Sequence, residues 1–231
     1  MAGLRATGHG PELQQGCSVI ALVDYGAGNL TSVRKAFSTL GARFFTPTAP
    51  ADCAGAAAIV VPGVGHFDAT SALDETWRQT IRAAVQQGTP LFGICVGMQW
   101  LFEGSDEAPG VPGLGVMAGR IHRLDGDAEA RLKVPHVGWN ALDFTRPARI
   151  LAGLPSGAQV YFTHSFAAPV TETCVASTTH ANTFASVVER DNVFGVQFHP
   201  EKSSDAGLRI LRNFLELVGQ QATGGGRQGQ G

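Results

Sequence analysis

Long apolar runs are missing from this sequence. No stretch approaches the roughly 20 apolar residues that a membrane-spanning helix needs, so a helical membrane protein is not expected. Charge is sparse too. Asp, Glu, Lys and Arg make up 16% of the 231 residues and nearly cancel to a net −2, so neither nucleic acid nor an anionic membrane surface is an expected partner. Cysteine is scarce: Cys17, Cys53, Cys95 and Cys174 form no CxxC pair and no disulfide-dense pattern, which fits a reducing, cytoplasmic setting. The seven histidines show no HExxH-like spacing, so no metal site and no cofactor are expected. The opening residues, MAGLRATGHGPELQQG, have no long apolar core and do not read as a secretory signal. Apolar residues as a class are plentiful at 44%, enough for a sizeable core in a chain of this length.

Composition divides the chain. Residues 1–17 are polar and read as a disordered extension, and 219–231 read as a disordered Gly/Gln-rich tail. Between them, 18–218 show no linker and no repeat. Ser18 to Val23 is a β-rich run, followed by the turn Tyr25-Gly26-Ala27-Gly28-Asn29 and then by Leu30, Val33, Phe37 and Leu40 at helical spacing, with Gly41 as a stop. Ala56 to Val61 and Pro90 to Ile94 read as further strands, separated by a helix carrying Leu73, Trp77, Ile81 and Val85 that ends near Gly88. Strand–helix alternation argues for a parallel sheet covered by helices. The second half reads as shorter strands near 115–123, 133–144, 158–168, 173–178, 184–189 and 193–198. A closing helix with Leu208, Leu211, Phe214, Leu215 and Val218 follows. The expected fold is one three-layer α/β domain, with a mixed, mostly parallel sheet, helices on both faces and an antiparallel flank.

The sharpest chemical signal is Gly93-Ile94-Cys95-Val96-Gly97, between a strand and a helix. This is the nucleophile-elbow pattern with Cys in place of Ser. The turn is tight, so side chains at the flanking positions would collide with backbone, and the helix start favours thiolate at the sulfur. The Val96 N–H would be one oxyanion donor. A buried structural cysteine between two packing glycines is the alternative. A thiol nucleophile needs a base, and the base needs an orienting group. In Gln197-Phe198-His199-Pro200-Glu201-Lys202, His199 and Glu201 would face the same side if the chain stayed extended, and Pro200 favours extension at His199. A surface turn is the alternative there, and His164 is the rival base. Pro62-Gly63-Val64-Gly65 closes a buried strand and can present backbone N–H groups to a ligand, or be an ordinary turn. Gly26-Ala27-Gly28 begins a dinucleotide fingerprint but has no third glycine in place.

Together these segments resemble the class I, triad-type glutamine amidotransferases over roughly residues 18–218. Asp24 to Asn29, Lys133-Val134-Pro135-His136-Val137-Gly138-Trp139-Asn140 and Tyr161-Phe162-Thr163-His164-Ser165 resemble in particular the glutaminase subunits of imidazole glycerol phosphate synthase, of histidine biosynthesis. Val96 and Trp100 stand where that family usually has Leu, and Phe166 where it often has Tyr.

The resemblance implies that Cys95 attacks the side-chain amide of L-glutamine and forms a thioester, with His199 moving the proton and Glu201 orienting His199. It places the oxyanion between the backbone N–H groups of Val96 and Val64, the second after the Gly63–Val64 peptide reorients. It assigns Gly63, Gly65, Gln99, Glu107, His164, Ser165 and Phe166 to substrate binding. The implied partner is a (β/α)8-barrel cyclase in a heterodimer that receives the ammonia, with Asn29, Trp139, Tyr161 and Lys202 near the interface and ammonia gate. The competing readings are a free-standing Cys-triad hydrolase, a glutaminase domain serving another synthase and a non-catalytic scaffold.

Overall fold

A computed structural model of the protein describes residues 19–27, 30–126, 129 and 132–224. The expectations for residues 1–17, for Asn29 and for 225–231 of the tail lie outside the described residues. The chain begins with β1 (Val19–Leu22), α1 (Leu30–Ser38), β2 (Arg43–Phe45) and β3 (Ala58–Gly63). It continues through α2 (Glu75–Gln86), β4 (Leu91–Cys95) and the short α3 (Val96–Trp100). Helix α2 starts where Asp74 caps the Trp77 N–H through its side chain, and both α1 and α2 are followed by a positive-φ glycine, Gly41 and Gly88, at the expected stops.

The second half supplies β5 (Gly104–Ser105), β6 (Ala108–Pro112), β7 (His122–Arg123), β8 (His136–Ala141), β9 (Asp143–Phe144), β10 (Gln159–His164) and β11 (Phe166–Ala167). It ends with β12 (Cys174–His180), β13 (Asn182–Arg190), β14 (Val193–Val196) and α4 (Ser204–Gly224).

The main sheet has the order β2-β1-β3-β4-β14-β13-β12-β9. Neighbours from β2 to β14 pair parallel, and β13, β12 and β9 form the antiparallel flank. Strand alternation sorts side chains into two cores. Ile20, Leu22, Val60, Phe92 and Ile94 pack with Val33 and Phe37 of α1 and Phe214 of α4. Ala21, Val23, Ile59, Val61 and Leu91 pack on the other face with Ile81 of α2 and Met98 and Trp100 of α3. The sheet is thus covered on both sides, as the near-continuous apolar runs of buried parallel strands require.

Four local expectations change. The strand read at 115–123 is only the two-residue β7, and 158–168 breaks into β10 and β11 at Ser165. Strands β8 and β10 pair only with each other, as an antiparallel ribbon outside the main sheet. Helix α4 runs on to Gly224, past the boundary drawn at 218.

Candidate active site

Strands β3, β4 and β14 end side by side, and their C-terminal ends deliver Gly63, Cys95 and the segment leading to His199 to one edge of the sheet. This is where ligands bind in parallel α/β sheets. Cys95 is the junction between β4 and α3, with φ 54° and ψ −111°. A non-glycine residue in that region is strained, and the surroundings enforce it. The elbow closes only because its flanks carry no side chain. A Cβ on Gly93 would come within 2.6 Å of the Gly97 carbonyl oxygen, and one on Gly97 would run into the Val61 carbonyl. The Val96 N–H, first in its helix, has no acceptor within that helix and is available at the sulfur's side of the cavity.

His199 and Glu201 meet, though not by the extended geometry read from sequence. His199 itself is extended, but Pro200–Lys202 curl into a 3-10 turn. The turn brings the Glu201 carboxylate back onto the ring, so that His199 Nδ1 lies 3.0 Å from Glu201 Oε1, both side chains being almost wholly buried at 2% and 1% exposure. The bond fixes the ring so that Nε2 is the working nitrogen. Burial pushes the imidazole down, but hydrogen bonding and charge from Cys95 and Glu201 outweigh it and raise its pKa from 6.5 to about 9. Nε2 has no hydrogen-bond partner of ordinary geometry, yet the sulfur acts on it strongly, which leaves that nitrogen free to exchange a proton with Cys95. His164, the rival base, is held elsewhere. Its Nδ1 donates to the Phe166 carbonyl at 2.9 Å and its Nε2 contacts His136 Nδ1 at 3.1 Å, with both ring nitrogens committed.

A cavity of about 250 Å³ lies over Cys95, lined by Val64, Gly65, Cys95, Val96, Gln99, Glu107, Pro135, Thr163, His164, Ser165 and Phe166. It is smaller than the roughly 300–1,000 Å³ of drug-sized sites and has room for a small molecule such as an amino acid. Of the sequence-predicted substrate and oxyanion residues, Gly63 alone is not in the lining. It lies just behind, where a Cβ would strike the Tyr25 hydroxyl and lie 2.9 Å from Val96 Cβ. Glu107 accepts from the Phe67 N–H at 2.8 Å, and Gln99 Oε1 is buried with no partner, an acceptor free for a ligand. Among the described residues no group of three or more His, Cys, Asp or Glu side chains is arranged to hold a metal ion.

Sequence reasoning passed over Gln197 and Tyr25. Gln197 is wholly buried, and its Nε2 lies 3.7 Å from Cys95 Sγ. Its position two residues before His199 near the end of a strand was the available signal. The Tyr25 hydroxyl is buried and unpartnered, and burial together with the Cys95 charge pushes the phenol far up. Pro135 and Thr163 also line the cavity without having been picked out.

Of the residues expected at a partner surface, Trp139 and Tyr161 lie on the β8–β10 ribbon. Trp139 pairs across the ribbon with Tyr161, their rings 6.0 Å apart edge to face, and Val137 and Trp139 are 57% and 52% exposed. Lys202 is exposed on the 3-10 turn beside His199. No described helix is long and apolar enough to cross a membrane.

Comparison with known proteins matches the family Glutamine amidotransferase class-I over residues 21–218. The chain is 44% identical to "Imidazole glycerol phosphate synthase subunit HisH" of Moorella thermoacetica over 203 residues, 86% of this chain and 95% of that protein. It is also 44% identical to the protein of the same name from Thermococcus kodakarensis over 205 residues, covering 86% of this chain and all of that one. Among solved structures, a glutamine amidotransferase crystal structure superposes with TM-score 0.67 at 23% identity, over 87% of this chain and 98% of that one. A putative GMP synthase component from Thermoplasma acidophilum superposes with TM-score 0.66 at 19% identity, over 91% and 98%. The two superpositions establish the shared fold.

Proposed function

Since this chain belongs to the class-I glutamine amidotransferase family, we propose that it is the glutaminase subunit of an imidazole glycerol phosphate synthase, with Cys95, His199 and Glu201 as its catalytic triad. The observation that carries the reading is an elbow cysteine that lines a small cavity, a buried histidine raised by that cysteine, and a carboxylate behind the ring. Glutamine enters with its side-chain amide over the Cys95 sulfur. His199 Nε2 holds the proton taken from the Cys95 thiol, and the thiolate attacks the carbonyl carbon. The Val96 and Val64 N–H groups hold the oxyanion, and the C–N bond breaks as His199 returns the proton to the departing ammonia. Water, deprotonated by His199, then attacks the thioester. The sulfur leaves as thiolate, and glutamate is released.

Glu201 keeps the ring in one tautomer and offsets its positive charge in a site that excludes water. Gln99 Oε1, Glu107 and the His164–Phe166 segment bind the amino-acid end of glutamine, Oε1 as a ready acceptor for its ammonium. Ammonia passes to a (β/α)8-barrel cyclase docked in a heterodimer on the exposed Val137–Trp139 strand with Tyr161 and Lys202. Delivery through an enclosed path keeps it unprotonated and nucleophilic. The working compartment is the cytoplasm.

The test is the pair of activities of the complex. Cys95→Ala abolishes glutamine-dependent synthesis and leaves ammonia-dependent synthesis intact. Loss of both would make Cys95 structural. Glutamate release by the isolated chain at full rate, unchanged by a liganded cyclase, would remove the partner from the reading.

A further inference from the structure

We propose, building on the reading of Cys95 as nucleophile, that Gln197 is a further catalytic residue, whose side-chain amide donates to the Cys95 sulfur and holds its anionic form. Gln197 is fully buried, with Nε2 at 3.7 Å from Cys95 Sγ in hydrogen-bonding geometry. Which end of that amide faces the sulfur is decided by a backbone carbonyl that can only accept. Gln99 Nε2 donates to the Phe166 oxygen at 2.8 Å, and its second hydrogen goes to Gln197 Oε1 at 3.1 Å. With Oε1 committed to Gln99, the NH2 of Gln197 points at Cys95. The reverse setting of Gln99 would press its oxygen on the Phe166 carbonyl, and the reverse setting of Gln197 would press an oxygen on the sulfur.

The anchoring carbonyl is itself fixed by a second chain of bonds with only one consistent direction. His164 Nδ1 donates to the Phe166 oxygen at 2.9 Å, so its Nε2 is bare and accepts from His136 Nδ1 at 3.1 Å. His136 Nε2 in turn accepts from Asn140 Nδ2 at 3.3 Å, whose other hydrogen goes to the Thr179 carbonyl at 3.1 Å. The direction requires both rings neutral. Burial, with the neighbouring histidines, holds His136 at about 3, and burial above all, with His180 and His199, holds His164 at about 4. The chain therefore runs from the Thr179 carbonyl of the antiparallel flank, through β8, to the nucleophile, fixed by main-chain acceptors at Thr179 and Phe166.

A donor of this kind has a purpose that His199 cannot serve. His199 must give up and regain its proton during turnover, whereas a carboxamide stays neutral and keeps its N–H throughout. It therefore favours the sulfur anion both when the thiolate attacks and when it leaves the thioester. Helix α3 has five residues, a little over one turn, so its dipole is a modest substitute.

Alkylation by iodoacetamide, followed on the Cys95 peptide by mass spectrometry as a function of pH, reads the sulfur anion directly in the full chain. Gln197→Met removes the donor at similar volume, and Gln197→Glu places an oxygen where the N–H stood. The expected result is a shift of the alkylation midpoint by about one pH unit to the alkaline side in the Met variant, near a tenfold loss of rate at neutral pH. The shift is larger in the Glu variant. In the complex, kcat for glutamine falls about tenfold while KM is kept. Gln99→Met, which frees the Gln197 amide to turn, gives a smaller shift of the same sign and serves if Gln197→Met fails to fold by circular dichroism. An unmoved midpoint in any folded variant overturns the proposal. Full glutamine-dependent activity in Cys95→Ala would instead overturn the assignment of the nucleophile, a separate outcome.

Discussion

His199 and Tyr161 are joined main chain to main chain: the His199 N–H donates to the Tyr161 carbonyl at 3.0 Å. Ser203 ties the same two residues a second time. Its hydroxyl donates to the His199 carbonyl at 2.6 Å and accepts from the Tyr161 N–H at 2.9 Å. Tyr161 carries its ring against Trp139, so a surface suited to a partner is one hydrogen bond from the base.

Ser203→Ala is therefore expected to act on both. The Tyr161 N–H loses its acceptor in a partly buried place, which costs about 1–3 kcal/mol. His199 loses one of its two ties to β10, and cyclase-stimulated glutamate release drops with it. Urea denaturation and glutaminase assays measure the two losses, and a folded variant with undiminished stimulated turnover would show that the Ser203 tie does not matter to the base.

The raised His199 makes stability fall on the alkaline side. Its folded-state value is about 9 against an ordinary 6.5, so the folded protein binds this proton more tightly than the unfolded chain does. That stabilisation is complete below about pH 6.5 and is lost as pH rises through about 9. Glu201→Gln removes one of the contributions that raise it, so the loss is expected to finish at lower pH. Melting temperature followed across this range in both proteins decides the point, and parallel curves would contradict it.

His136 and His164 give the opposite slope in acid. Both are held neutral, at about 3 and about 4, while the unfolded chain takes up protons near 6.5. Stability should decline as pH falls below about 6.5 and go on declining toward about 4. The groups facing the pair are His180, stacked on His136 at 4.1 Å, the amide of Asn140 and, toward the nucleophile, His199. Replacing His136 by Phe, which keeps the stacking on Phe162, removes one of the two neutral rings. The variant is expected to be less stable at neutral pH, with His164 Nε2 left bare, and to lose less on going to acid. The denaturation midpoint at neutral and mildly acidic pH tests the difference.

Much of this arrangement can be read in advance, and the exceptions have physical causes. The buried parallel strands β1, β3 and β4 are apolar runs, the last two bounded by glycine or proline, and such runs have few alternatives. The Cys95 elbow was legible because a tight turn is a local requirement, and the meeting of His199 and Glu201 because the two are near in sequence, though the extended geometry assumed for them was not the one formed. The 3-10 turn at Pro200–Lys202 was not, since it depends on the backbone bonds to β10. Strand β2 has only three residues, none of them buried, so its apolar signal is weak. The β8–β10 ribbon looks like part of the main sheet in sequence because alternation does not say which strand is the neighbour. Gln197 and Tyr25 went unread because the first owes its orientation to Gln99 and Phe166, and the second lies in a turn whose partner, Gly63, is far along the chain.

The Tyr25 hydroxyl and Gly63 offer the last test. The hydroxyl is buried with no partner, so it contributes a desolvation cost that no bond offsets. Tyr25→Phe is expected to leave stability unchanged or raise it by about 1 kcal/mol. Gly63→Ala should be destabilising by about 1–3 kcal/mol, because its Cβ meets that oxygen and lies 2.9 Å from Val96 Cβ. The oxygen is the nearest of the atoms in the way. Combining the two substitutions should therefore recover part of the loss, and a double-mutant cycle should give a favourable coupling of about 1 kcal/mol. Strict additivity would mean that Val96 and the elbow backbone, not the phenol, exclude a side chain at position 63, and marked destabilisation by Tyr25→Phe alone would mean that the hydroxyl has a bonding partner in solution.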